Sequence, residues 1–214
     1  MPELVFDCVD CKPDRYAAGP TLVFKLRIAE TTGATLHSIG LRVQFRIEPQ
    51  RRRYAAGESD RLTDLFGGPE RYGETLHPMQ LATVPVMVQG FTGSTEVDVP
   101  VACSYDLEVA TGRYFGALEK GEVPLALLFS GTVFYRTEDG TVAVTQVPWD
   151  KEASYRLPVS IWREMIDIFF PNSGWLMLHE ETLKALTSFK SREAVAGWDQ
   201  TFALLLRRAG ENSP

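Results

Sequence analysis

The chain has 214 residues, 44% hydrophobic and 11% aromatic, and a formal charge of −6. That apolar content can bury a sizeable core, which argues against intrinsic disorder, and the acidic balance argues against general affinity for nucleic acid or acidic membranes. Acidic residues in MPELVFDCVD are unlike a signal peptide, and no run approaches the roughly 18–20 apolar residues of a membrane span; with three cysteines, too few for a disulfide framework, a reduced, cytoplasmic setting is expected.

A first strand is expected from Leu4 to about Val9, closed by a turn at Lys12-Pro13-Asp14. In the next, Leu22, Phe24, Leu26 and Ile28 point one way, with Lys25 and Arg27 opposite. A hairpin-type connection at Thr31–Ala34 leads to a third strand with Leu41, Val43, Phe45 and Ile47 inward and Arg42, Gln44, Arg46 and Glu48 outward. One buried and one wet face imply antiparallel pairing.

Residues 49–78 break the alternation. They hold Arg51-Arg52-Arg53, several glycines and a short helical patch at Ser59–Phe66. A connection this long inside a compact domain is usually functional or mobile, and it is the first candidate for a partner surface. Strands resume over Gln80–Phe91 and, after the turn Thr92-Gly93-Ser94, over an alternating run from Val97 to Val109. One or two helical turns are expected within Thr111–Glu119. Val123–Tyr135 is the most apolar strand and reads as central; Glu138-Asp139-Gly140 then turns the chain into Thr141–Val147.

Near Leu157 the apolar period changes from two to three and four. Pro158 suits a first helical turn, followed by Ile161, Met165, Ile168 and Phe169 on one face, and Pro171 stops that helix. Two more helices are expected, at Glu180–Lys190 and Trp198–Arg208. About seven strands before this tail suggest a mainly β fold, an antiparallel β-sandwich of immunoglobulin-like or Greek-key type, with a closed barrel as the competing architecture. The expected division is a sandwich over 1–157 and a helical extension over 158–214.

Chemical signatures are weak. Cys8-Val9-Asp10-Cys11 is a C-x-x-C, but it follows a strand, and acidic neighbours raise its thiol pKa values. On a regular strand residues three apart face opposite ways, so both thiols meet one metal only if a turn begins at Asp10. Further ligands would have to come from Cys103, His37, His77 or His179, and no second C-x-x-C exists. His179-Glu180-Glu181 fails as a metalloprotease motif because position 183 is Leu, no G-x-S-x-G occurs, and Gly67-Gly68-Pro69 lacks the lysine of a phosphate loop. No cofactor is expected.

Two features suggest interaction instead. Arg51, Arg52 and Arg53 form a basic patch on an acidic protein, read either as a solvated strand end or as a docking site for an acidic partner. Trp149, with Asp150 and Lys151 beside it, is either a wedge that packs the helices on the sandwich or a partner-binding hot spot.

The segments P-T-L-V-F-K-L-R (20–27), L-R-V-Q-F-R-I-E-P-Q-R-R-R-Y (41–54), L-F-S-G-T-V-F-Y-R (128–136), V-P-W-D-K-E-A (147–153) and P-V-S-I-W-R-E-M (158–165) together resemble an uncharacterised, mainly actinobacterial family. The resemblance covers nearly the whole chain. Genes of that family often lie near those of aerobic NiFe-hydrogenases and their maturation proteins. The resemblance therefore implies an accessory protein whose partners are hydrogenase subunits or maturation factors, and it carries over no catalytic residue. A metal carrier or metal-dependent enzyme using Cys8 and Cys11, and a self-associating structural subunit, are the alternatives.

Overall fold

The computed structural model describes residues 1–103, 110–137, 139–172 and 178–210. The chain divides into two compact units, 1–174 and 175–214.

Unit one is built from two antiparallel sheets. One has the order β1-β2-β5, formed by Leu4–Pro13 (β1), Thr21–Glu30 (β2) and Ser94–Ala102 (β5). In the other, Met79–Gln89 (β4) pairs with Leu36–Ile47 (β3), which pairs with Glu122–Arg136 (β6). Val142–Gln146 (β7) and Glu152–Pro158 (β8) share the far edge of β6, the first along its C-terminal half and the second along its N-terminal half.

Period-two patterning puts Leu22, Phe24, Leu26 and Ile28 of β2, and Leu41, Val43, Phe45 and Ile47 of β3, into one buried layer. Rings interlock across it: Phe24 lies 4.6 Å from Phe45, and Phe6 stacks on Phe129 at 4.2 Å. The sandwich is thus mainly β with antiparallel sheets, as the alternation predicts.

Helices are spread through the chain rather than gathered at its end. The 49–78 connection is folded into Ala56–Arg61 (α1), Thr63–Phe66 (α2) and Tyr72–Thr75 (α3), with single 3-10 turns at Pro49–Arg51 and Pro69–Arg71. Ala110–Ala117 (α4) follows β5, and Val159–Phe169 (α5) follows β8. Phe115 of α4 stacks on Trp162 of α5 at 4.1 Å. The expected helix from Pro158 is α5, and its buried Val159, Trp162 and Met165 complete the sandwich core. β8 is an eighth strand that the sequence reading missed. The run expected to reach Val109 is strand as far as Ala102, and residues 104–109 lie outside the described residues.

Unit two holds Glu180–Arg192 (α6) and Trp198–Ala209 (α7). Arg208 donates to both carboxylate oxygens of Glu193, at 3.0 and 2.6 Å, and lies 5.3 Å from the Phe189 ring. Thr201 is its one buried residue in these helices. No helix among the described residues is long and apolar enough to cross a membrane.

Candidate interaction surface

The site grows from one glycine in the central strand. Gly131 has φ +147°, and a Cβ there would fall 2.1 Å from the carbonyl oxygen of Gly40 on β3. Only glycine allows β3 and β6 to approach this closely. On the other edge of β6 the ladder is interrupted at the same level. The Val147 amide donates to the Gly131 carbonyl (2.9 Å), and the Phe129 amide donates to the Lys151 carbonyl (3.0 Å). Between those bonds β6 supplies Ser130 alone, while the opposing chain supplies Pro148, Trp149 and Asp150. The three residues form a bulge that separates β7 from β8.

This bulge is held at both ends. The Lys151 amide donates to the Pro148 carbonyl at 3.2 Å, and the Lys151 ammonium pairs with Glu3 of β1's leading residues. Trp149 at its tip is 94% exposed. It therefore wedges no helix onto the sandwich, and the packing role that its apolar bulk suggests is not the one it has. Beside the bulge, the small side chains of Gly40, Ser130 and Thr132 leave a shallow groove of 620 Å³ on the outer face of the sheet, rimmed by Arg42, Pro85 and Met87. Met87 is 69% exposed.

The three consecutive arginines have separate fates. Arg51 pairs with buried Glu48 at 2.7 Å, and Arg53 is exposed with no ion pair among the described residues. Arg52 is a strut: its side chain is 8% exposed, and its guanidinium donates to Glu58 and to the Lys120 carbonyl, each at 2.7 Å, and lies 5.6 Å from the Tyr54 ring. Burial raises the Glu58 pKa, but the amides of Glu119 and Ala55 and the Arg52 charge outweigh it and hold the carboxyl below its usual range. Arg52 thus clasps the 49–78 connection to the start of β6, whereas Trp149 stands level with Ser130. Eight strand residues separate those points, about 26 Å at ~3.3 Å per residue. Arg51–Arg53 and Trp149–Lys151 therefore do not converge on one spot.

The cysteines correct the strand argument made from spacing. Register jumps from Cys8 opposite Leu26 to Asp10 opposite Lys25, so Val9 is an inserted residue and both Cys8 and Cys11 turn inward. Burial, opposed by a contact from the Cys8 thiol to the Asp10 carbonyl and reinforced by the Asp7 and Asp10 charges, pushes Cys8 up to about 12. Burial raises Cys11 further, and Cys103 is fully buried. Among the described residues no group of three or more His, Cys, Asp or Glu side chains is placed to hold a metal ion.

Sequence reasoning missed the Arg52–Glu58 clasp and the edge bulge. The clasp left no signal, since six-residue spacing across a turn has no periodic meaning. Pro148, set within an otherwise strand-like stretch, was a local sign that pairing breaks there, but not of the strand it breaks against.

Among solved structures, the chain is similar to the CARDB domain of the PF1109 protein from Pyrococcus furiosus, in complex with di-metal ions (9% identity, TM-score 0.29, 73% of this chain and 92% of that one). It is also similar to β-glucosidase from Kluyveromyces marxianus (10%, 0.26, 72% and 15%) and β-glucosidase 3B from Thermotoga neapolitana (14%, 0.27, 72% and 17%). No curated protein matches this chain. The model of DUF6084, a family of unknown function, matches residues 1–214, and the chain belongs to that family.

Proposed function

We propose that this protein is a non-catalytic accessory factor of the cytoplasm that works by binding another protein, on a sandwich we read as immunoglobulin-like. The observation that carries this reading is Trp149, 94% exposed at the tip of a bulge whose backbone is pinned on both sides. Tryptophan dominates interface hot spots, and a rigid, prepaid backbone lowers the ordering cost of binding. Groove and Met87 beside it offer apolar contact, with Arg42 as a polar rim. Arg51 and Arg53, at the far end of β6, would be a secondary contact for acidic groups.

In its most specific form, resting on the segments shared with the hydrogenase-linked family, the partner is a NiFe-hydrogenase subunit or maturation factor. Affinity purification of the tagged protein from its native host, with mass spectrometry, tests this. Hydrogenase polypeptides retained by wild type and lost with Trp149→Ala support it; a different partner lost with the same variant keeps the docking role and removes the hydrogenase. Stoichiometric zinc, nickel or iron in the purified protein would instead favour the metal-carrier role of Cys8 and Cys11.

A further inference from the structure

We propose that β7 is a pairing edge for a second copy of this chain, giving a two-fold dimer in which the two five-stranded sheets run on as one. The direction of the free backbone groups is fixed by two bonds. Thr137 donates to the Thr141 carbonyl, and Val147 donates to the Gly131 carbonyl. Residues 141, 143, 145 and 147 therefore turn their amides and carbonyls to β6, and Val142, Val144 and Gln146 turn theirs outward. Nothing among the described residues pairs with that row.

Sheet edges are normally guarded by charge or proline. β1 carries Asp7, Asp10 and Lys12; β5 carries Glu96, Asp98 and Pro100; β4 carries Pro85; β8 carries Glu152, Arg156 and Pro158. β7, Val-Ala-Val-Thr-Gln, has neither. Val142 and Val144 stand 53% and 56% exposed on it.

The occupant follows from the symmetry of the row. An antiparallel two-fold centred on Val144 sets Val144 against Val144 and Val142 against Gln146, in both directions. Each outward amide then meets an outward carbonyl, and no two like charges face each other. Phe134, directly across from Val144 on β6, is brought with its copy to either side of the Val144 pair, so four apolar side chains form one strip. A five-residue edge is small for an interface, which makes the dimer reversible and dependent on concentration. The bulge at 148–150 ends the ladder, so Trp149 is not a member of it, and this pairing does not rest on the partner-binding reading.

Sedimentation velocity across a concentration series on the full chain tests the idea. Wild type is expected to shift from monomer to dimer as concentration rises. Val144→Lys sets two cations face to face at the axis, and Val144→Pro removes an outward amide that no internal bond uses. Each should weaken the dimer about tenfold or more while the thermal midpoint stays near wild type. Should Val144→Pro unfold the edge, Val144→Lys alone decides. A wild type that stays monomeric throughout the series overturns the proposal, as does a dimer that persists unchanged in folded Val144→Lys.

Discussion

Trp149 separates recognition from stability at a single side chain. It is almost wholly exposed, so Trp149→Ala should change unfolding free energy by less than about 0.5 kcal/mol while weakening partner capture; a matched pair of urea titration and pull-down reads both. Arg52 is the opposite case. Arg52→Ala leaves the buried Glu58 carboxylate with only the amides of Glu119 and Ala55 as partners, and a loss of about 1–3 kcal/mol is expected in the same titration. Glu30 gives the pH dependence. Burial raises its pKa, but the hydroxyl and amide of Thr32 and the amides of Glu3 and Ala34 all donate to it and bring it from the usual 4.5 down to about 2. A folded value below the unfolded one stabilises the fold above pH 4.5, and that contribution disappears as pH falls from 4.5 towards 2. Glu30→Gln should therefore cost about 1–3 kcal/mol at neutral pH, with the gap to wild type closing on acidification. For the buried, high-pKa thiols of Cys8 and Cys11, an alkylating reagent should react in denaturant and leave the native protein unlabelled.

Elements were legible where one face is buried and the other wet. β2 and β3 stand out because every second residue is apolar and Lys25, Arg27, Arg42, Gln44 and Arg46 fall between them. β8 escaped notice because its alternation, Ala153, Tyr155, Leu157, spans only three apolar positions between the 148–150 bulge and the helix that follows. Its pairing with β6 completes what that short pattern only suggests. Bulges escaped for the same reason, since an inserted residue at Val9 or Pro148–Asp150 is defined by the partner strand's register. The candidate site inherited that loss: Trp149 was visible as a residue, but its choice between wedge and projection depended on a partner strand the local sequence does not contain. Gly131 is the element-scale test. Gly131→Ala would push a methyl into the Gly40 carbonyl, at a backbone angle alanine resists, so a destabilisation of about 3 kcal/mol or more is expected by thermal or urea unfolding. Gly73→Ala, with open space around it, is the control.

On the scale of the molecule, every buried member of the hydrophobic core among the described residues precedes residue 166. The change of period near Leu157 was read as the edge of the sandwich, yet α5 belongs to the compact unit ending at 174, because Val159, Trp162 and Met165 fill its core. A fragment of residues 1–174 should accordingly unfold in one cooperative step, whereas 175–214 alone should show little stable helix by circular dichroism, since two short helices without a shared core are marginal in water.

Among the described strands β6 alone pairs with three others, and that has a cost in time. Its contacts with β3 join residues 78 to 99 positions apart, from Ile47 with Leu125 to Leu36 with Tyr135. Loop closure on that scale makes folding slow. During synthesis at ~5–20 residues per second, β3 emerges from the ribosome about 4–20 s before its central neighbour exists. For that interval β3 has β4 as its only sheet neighbour, and its edge towards β6 stays unpaired until Arg136 clears the exit tunnel.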